Sequence, residues 1–144
     1  MGCWSCTLQV CDFGLAKHKR ATYASGACAM RPVLPWTAPE VLRNPEALTE
    51  KVDVYSYGMV LWELWTSHVP HSDADTQALM SGVLFHGLRP PLPPPQQTPP
   101  PHAGWAALVK RCWAERPTER PSFSDLVPEL EQMCAQIDVA ASYS

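Results

Sequence analysis

Charged residues are few in this chain, and long apolar runs are missing. Aspartate, glutamate, lysine and arginine make up 17% of the 144 residues, and the formal net charge is −3. This balance provides no basic surface for nucleic acid or for an anionic membrane, so we expect neither partner. No apolar stretch reaches the length of a transmembrane helix, and the first residues lack the basic and apolar regions of a signal peptide. We therefore expect a cytoplasmic protein without a membrane span.

The cysteines do not form a complete metal or redox motif. Cys3-x-x-Cys6 would begin a zinc site, but no second C-x-x-C and no H-x(3–5)-H follows it. A thioredoxin-like pair needs a βαβ setting, which the sequence does not indicate. We predict free thiols in a reducing compartment, several of them buried. A zinc- or redox-active cysteine protein is the alternative that depends on Cys3 and Cys6 alone.

Hydrophobic periodicity predicts one mainly helical domain. The strongest prediction is a helix from Asp53 to Thr66, which Asp53 would cap with its carboxylate. The segment from Val54 to Trp65 is apolar on nearly every side, which is typical of a buried central helix. The other predicted elements are a strand at 7–11, a loop at 17–30, a helical turn at 39–42, and helices at 76–86, 104–112 and 123–139.

Residues 89–101 are rich in proline and predict a polyproline II or extended segment. Pro91 and Pro94 form a P-x-x-P pattern, which is typical of ligands for SH3 or WW modules. Arg89 stands in the wrong register for the usual flanking arginine of such ligands. We favour a rigid surface crossing between two helices and keep the SH3/WW contact as the weaker hypothesis.

Four sequence blocks, in this order along the chain, resemble the protein kinase family. Asp12-Phe13-Gly14 and Ala38-Pro39-Glu40 resemble the two ends of the activation segment in that family. The resemblance extends from Leu8 to about Gln136. The tryptophan-rich sequence of the blocks is most similar to the tyrosine-kinase-like group, whose members mostly phosphorylate serine and threonine. The blocks are Val10–Lys17, Leu34–Leu42, Thr49–Leu64, and Arg111–Trp113 with Pro117–Phe123.

The resemblance implies a role for each motif residue. Asp12 would hold Mg²⁺ across the β- and γ-phosphates of ATP, Phe13 would be the apolar plug that separates active from inactive states, and Gly14 would permit a backbone swing. Glu40 and Arg120 would form a buried ion pair that ties the activation segment to the C-terminal helices.

Other positions in the resembling blocks depart from a complete kinase. The family partner of Asp53 is the catalytic loop, so Asp53 would keep only a helix-capping role here. Thr22, Tyr23 and Ser25 are candidate phosphorylation sites or, equally, ordinary loop residues. Val33 stands where related kinases have a threonine whose hydroxyl bonds the catalytic aspartate and lysine, and valine lacks that hydroxyl.

We therefore expect the C-terminal lobe of a protein kinase-like fold, with the N-terminal lobe and catalytic loop missing from residues 1–144. Residues 7–42 would be the magnesium-binding strand and activation segment, and residues 43–139 the helical lobe with its proline-rich crossing at 89–101. An intact family member would transfer the γ-phosphoryl of ATP to serine or threonine, or to tyrosine, of a protein. The 144 residues contain no Gly-rich phosphate loop, no ATP-pairing lysine and no H-R-D base, so we expect them to be inactive alone. The alternative is a non-catalytic, pseudokinase-like interaction module.

Overall fold

The computed structural model describes residues 33–44 and 49–142, with side chains up to Asp138. This part of the chain is helical and contains no strand. Short 3₁₀ turns lie at Leu34–Trp36 and Pro117–Glu119. The helices are α1 (Pro39–Arg43), α2 (Lys51–Thr66), α3 (Thr76–Phe85), α4 (Trp105–Cys112) and α5 (Phe123–Ser142). The mainly helical prediction is confirmed for the described residues, whereas the predicted strand at 7–11 and loop at 17–30 lie outside them.

Helix α2 is the centre of the core and packs closely against α4. Tyr55 and Met59 of α2 and Leu108 of α4 are fully buried in one apolar cluster. The two backbones approach closely at Gly58, where an added Cβ atom would lie 2.7 Å from the Cβ of Cys112. Glycine is therefore the residue that this helix contact accepts without a shift.

The start of α2 differs from the prediction. The helix begins at Lys51 and not at Asp53, and the residue before it, Glu50, makes no side-chain capping bond. Asp53 lies exposed in the first turn. The predicted capping role of Asp53 is therefore wrong, although a carboxylate in a first turn still interacts favourably with the helix dipole. The end of the helix matches the prediction, since the left-handed Ser67 (φ 56°) follows Thr66.

In the part of the chain that the structure describes, one face of α2 is exposed. Val60 is 39% exposed and Leu64 is 69% exposed. The interpretation of α2 as a buried central helix therefore holds for most of its length but not at Val60 and Leu64. The pattern of apolar residues was read correctly, but it does not say which neighbours are present to cover them.

The proline-rich segment is fastened to α2 by two indole groups. Trp62 donates its Nε1–H to the carbonyl oxygen of Pro91 at 2.9 Å. The Nε1 atom of Trp65 lies 3.2 Å from the carbonyl oxygens of both Thr98 and Pro99, so its single proton is shared. Leu92 adds apolar contact with the main cluster. The segment crosses from α3 to α4 with three of its carbonyl oxygens bonded to α2.

Helix α5 begins with a reciprocal cap. The backbone N–H of Ser122 donates to the Asp125 carboxylate at 2.9 Å, and the Asp125 N–H donates to the Ser122 hydroxyl at 3.2 Å. This arrangement satisfies donors that a helix start leaves without partners.

Across the described residues, the helices are too short or too polar to cross a lipid bilayer.

Candidate functional site

The segment before α1 lies against α2 through side-chain hydrogen bonds. Trp36 donates its Nε1–H to Glu63 Oε2 at 2.9 Å, and the Ser56 hydroxyl lies 2.8 Å from the Trp36 carbonyl oxygen. That hydroxyl is also 3.1 Å from the Val52 carbonyl oxygen, so its one proton is shared between the two acceptors. Leu34 is buried beside α3 in a small second cluster. Both ends of the 3₁₀ turn are thus fixed before the Ala38-Pro39-Glu40 motif begins.

Local backbone preference then starts α1 at this motif. Ala38 is extended (φ −66°, ψ 144°), as expected for a residue before proline. Pro39 occupies the start of the helix, where its missing N–H costs little. Pro39 and Val41 are buried, and Glu40 between them lies in the first turn. The Glu40 carboxylate points toward Arg120, which lies in the segment between α4 and α5.

The partner of Glu40 is Arg120, whose side chain has no exposed surface. It makes a bidentate contact with Glu40, at 2.5 Å from Nη1 to Oε1 and 2.9 Å from Nη2 to Oε2. Three carbonyl oxygens take its other donors: Ala114 at 2.8 Å, Lys51 at 2.9 Å and Glu115 at 3.3 Å. All five N–H groups of the guanidinium are therefore used. A buried charge that is both paired and fully hydrogen-bonded is the arrangement that a protein interior tolerates.

Tyr55 lies beneath this ion pair and beside a second arginine. The guanidinium carbons of Arg89 and Arg120 are 5.0 Å and 5.1 Å from the centre of the Tyr55 ring. These distances are within the range of cation–π attraction. Burial raises the pKa of the Tyr55 phenol, and the two guanidinium charges oppose that rise. The phenol therefore stays neutral and acts as an apolar support for both cations.

The residues predicted from sequence divide into two groups. The structure brings Glu40 and Arg120 together, and it places Asp53 in the first turn of α2. The side chain of Val33 is 49% exposed, and its backbone carbonyl accepts a hydrogen bond from the Thr37 hydroxyl at 2.8 Å. The remaining candidates lie outside the described residues: Asp12, Phe13, Gly14, Thr22, Tyr23 and Ser25.

Several residues at the site were missed by sequence reasoning. Ser56 and Glu63 hold the segment before α1, and Lys51 Nζ donates to the Arg120 carbonyl oxygen at 3.1 Å. Glu115 contributes a carbonyl to Arg120 and, through its carboxylate, binds Arg43 and Arg89. No sequence signal distinguishes these residues from ordinary surface and helix positions, because their partners are far away along the chain.

The fit of a metal ion can be tested only on the described residues. In residues 33–44 and 49–138, no three histidine, cysteine or carboxylate side chains come together as a metal site. The predicted magnesium ligand, Asp12, lies outside the described residues.

The chain matches a sequence model of the family described as protein tyrosine and serine/threonine kinase, over residues 5–130. This match covers most of the chain, so the chain belongs to the protein kinase family. The family predicted from the four sequence blocks is confirmed.

Individual proteins similar to this chain are protein kinases by name, and one of them is named a serine/threonine kinase. A probable serine/threonine-protein kinase, drkD, of Dictyostelium discoideum is 43% identical over 129 residues, which are 90% of this chain and 9% of that protein. Mitogen-activated protein kinase kinase kinase 12 of Rattus norvegicus is 36% identical over 90% of this chain and 14% of its own length. Mitogen-activated protein kinase kinase kinase 13 of Homo sapiens is 37% identical over 94% of this chain and 13% of its own length. The chain thus spans only a small part of the length of these relatives.

Proposed function

We propose that these residues form the C-terminal-lobe part of a serine/threonine protein kinase domain, from the magnesium-binding motif onward. Residues 7–42 would carry the magnesium-binding strand and activation segment, and residues 43–139 the helical lobe. The observation that carries this proposal is the Arg120 site. It fixes Glu40 of the Ala38-Pro39-Glu40 motif to the helices by a bidentate contact of 2.5 Å and 2.9 Å. A kinase needs this anchoring because its catalysis depends almost entirely on positioning and charge stabilisation.

ATP and magnesium would be the cofactors of the intact domain. Asp12 would hold the metal, with Phe13 and Gly14 forming the rest of the motif. A magnesium ion at that position neutralises the charge that develops on the transferred phosphoryl group. The acceptor would be a serine or threonine of a protein substrate, with tyrosine as the alternative. Thr22, Tyr23 and Ser25 would be the sites at which the segment itself could be phosphorylated in a cytoplasmic signalling setting.

The 144 residues by themselves should not catalyse phosphoryl transfer. They contain no Gly-rich phosphate loop, no ATP-pairing lysine and no H-R-D base. Without those groups, little of the positioning that this reaction requires is available. The relatives are many times longer, so an active kinase would be a longer product that includes these groups.

Phosphoryl transfer from Mg-ATP to a generic protein substrate tests the proposal. We expect the 144-residue protein to transfer no more phosphate than its Asp12→Ala variant. Turnover clearly above that variant would refute the proposed inactivity. The transcript upstream of Met1 provides the second test. An in-frame H-R-D-x-x-x-x-N sequence there, followed by activity of the longer protein that Asp12→Ala abolishes, would support the kinase function.

A non-catalytic interaction module is the second candidate, and the uncovered face of α2 favours it. Val60 and Leu64, one helical turn apart, are 39% and 69% exposed, and such a face invites a protein partner. A stop codon close upstream of Met1, together with inactivity, would favour this candidate. An SH3 or WW partner at residues 89–101 has less support, because Trp62 and Trp65 already bind three carbonyl oxygens of that segment.

A further inference from the structure

Helix α1 has a second attachment, which does not involve Glu40. Arg43, the last residue of α1, places Nη2 at 2.8 Å from Glu115 Oε1 and 2.5 Å from the Leu84 carbonyl oxygen. Leu84 lies in the last turn of α3, where carbonyl oxygens lack helical partners and attract a cation. The C-terminal end of α1 is therefore attached to two elements that follow it in the chain.

Arg89 holds the other oxygen of the same carboxylate. Its Nη2 atom lies 2.9 Å from Glu115 Oε2. Arg89 is itself fixed, because Nε donates to the Trp113 carbonyl oxygen at 2.9 Å and Nη1 donates to the Leu88 carbonyl oxygen at 2.8 Å. Its side chain is 14% exposed, whereas that of Arg43 is 46% exposed. The Arg89 side chain is thus more buried than that of Arg43 and makes more hydrogen bonds.

We propose that Glu115 is a positioning residue that holds α1 against the start of the proline-rich segment, by sharing one carboxylate between Arg43 and Arg89. We call these contacts the Glu115 clamp. The clamp acts at the end of α1 opposite to Glu40, so two separate ion pairs set the position of this helix. The proposal depends on the geometry of the described residues and goes beyond the proposed kinase function, because it stands whether or not the domain catalyses.

The charges at the clamp favour an ionised carboxylate. Partial burial of Glu115 opposes ionisation, but the hydrogen bonds and charges of Arg43 and Arg89 outweigh it and lower the pKa of this carboxyl group. Hydrogen bonds between ionised partners are stronger than neutral ones. An amide of the same shape has one acceptor oxygen, so Glu115→Gln removes one of the two contacts and weakens the other without removing any packing.

Amide hydrogen exchange of the whole chain, followed residue by residue, tests the proposal. The N–H of Asn44 donates to the Glu40 carbonyl oxygen at 2.8 Å, and that of Val41 donates to the Ala38 carbonyl oxygen at 3.1 Å, so these two amides report on α1. In Glu115→Gln we expect both amides to exchange about two- to fivefold faster, as expected for a half-exposed ion pair. Amides in the middle of α2 should keep their protection.

Glu119→Gln is the matched control. It makes the same charge change four residues away, where Glu119 pairs with Arg116 at 3.7 Å and both side chains are more than half exposed. This variant should leave the α1 amides unchanged. Equal effects of the two variants, no effect of Glu115→Gln, or a uniform loss of protection through α1 and α2 would each overturn the proposal.

Two further measurements distinguish the clamp from a general loss of stability. Arg43→Gln combined with Glu115→Gln should accelerate exchange by less than the product of the two single effects, because both variants remove the same contact. In the unmodified chain, raising the salt from about 0.05 M to about 0.5 M should weaken α1 protection, since exposed pairs are screened. A simple product in the first measurement, or no salt effect in the second, would contradict the proposal.

Discussion

Loss of the Glu40 charge should destabilise the fold far more than loss of a surface charge. In Glu40→Gln, the Arg120 guanidinium keeps its three carbonyl partners and one amide oxygen but loses its counter-charge. Removing one partner of a buried pair typically costs about 3–5 kcal/mol. The retained amide contact returns about 1 kcal/mol, and the Glu40 side chain is 19% exposed, which permits some solvent access. We therefore expect the free energy of unfolding to fall by about 2–3 kcal/mol.

Urea unfolding followed by circular dichroism measures this change. With a slope of about 2 kcal/mol/M, the midpoint should fall by about 1 M. Glu129→Gln is the matched control, because Glu129 also pairs with an arginine, Arg111, but both side chains are substantially exposed, at 32% and 49%. That variant should change the free energy of unfolding by less than about 1 kcal/mol. Similar effects of the two variants, at an unchanged slope, would refute the view that Arg120 needs a charged partner.

Two other properties can be tested on the same protein. Gly58→Ala should destabilise the chain by about 1–3 kcal/mol in urea unfolding, because the new Cβ would meet the Cys112 Cβ at 2.7 Å. Gly82→Ala is the comparison variant and should cost less, because its closest contact, at 2.7 Å, is the movable Cδ2 atom of Leu88, with the Leu88 Cβ at 3.1 Å. Burial and the charge of Arg89 lower the pKa of His71. The contribution of the neutral imidazole to the free energy of unfolding is therefore present above pH of about 6.5 and is lost as the pH falls. His71→Asn should therefore flatten the decline in stability below that pH, and an unchanged decline would contradict this assignment.

Sequence reasoning succeeded where the signal is local or where the family motif supplies the partner. Helix α3 was expected at 76–86 and lies at Thr76–Phe85, because its periodicity is encoded within a few residues. The structure adds a cap that was not predicted, in which the Asp75 carboxylate accepts hydrogen bonds from the N–H groups of Gln77 and Ala78. The pairing of Glu40 with Arg120 spans 80 residues, and only the resemblance to the kinase motifs indicated it. Spacing alone contains no such information.

Most of the features that sequence reasoning missed depend on distant neighbours. The Glu115 clamp joins residues 72 and 26 positions apart, and each of its members alone is an ordinary surface charge. Asp53 is a good capping residue by type, but Lys51 and Val52 also fit a helix, so the helix extends past it. The exposure of Leu64 could not be read from an apolar helix pattern, since the pattern is the same whether or not a neighbour covers that side.

The apolar composition of α2 conceals how many polar contacts the helix makes. Trp62 and Trp65 bury large apolar surfaces, yet each donates an indole N–H to the proline-rich segment. Phenylalanine would fill much of the same space but would leave the Pro91 carbonyl without this donor. Ser56 and Glu63 use the same helix to hold the segment before α1. Because successive residues of a helix point in different directions, one helix can bind a preceding and a following segment at once. The tryptophans of this helix therefore have a physical role. An indole ring packs in the core, and its N–H group binds a neighbouring segment.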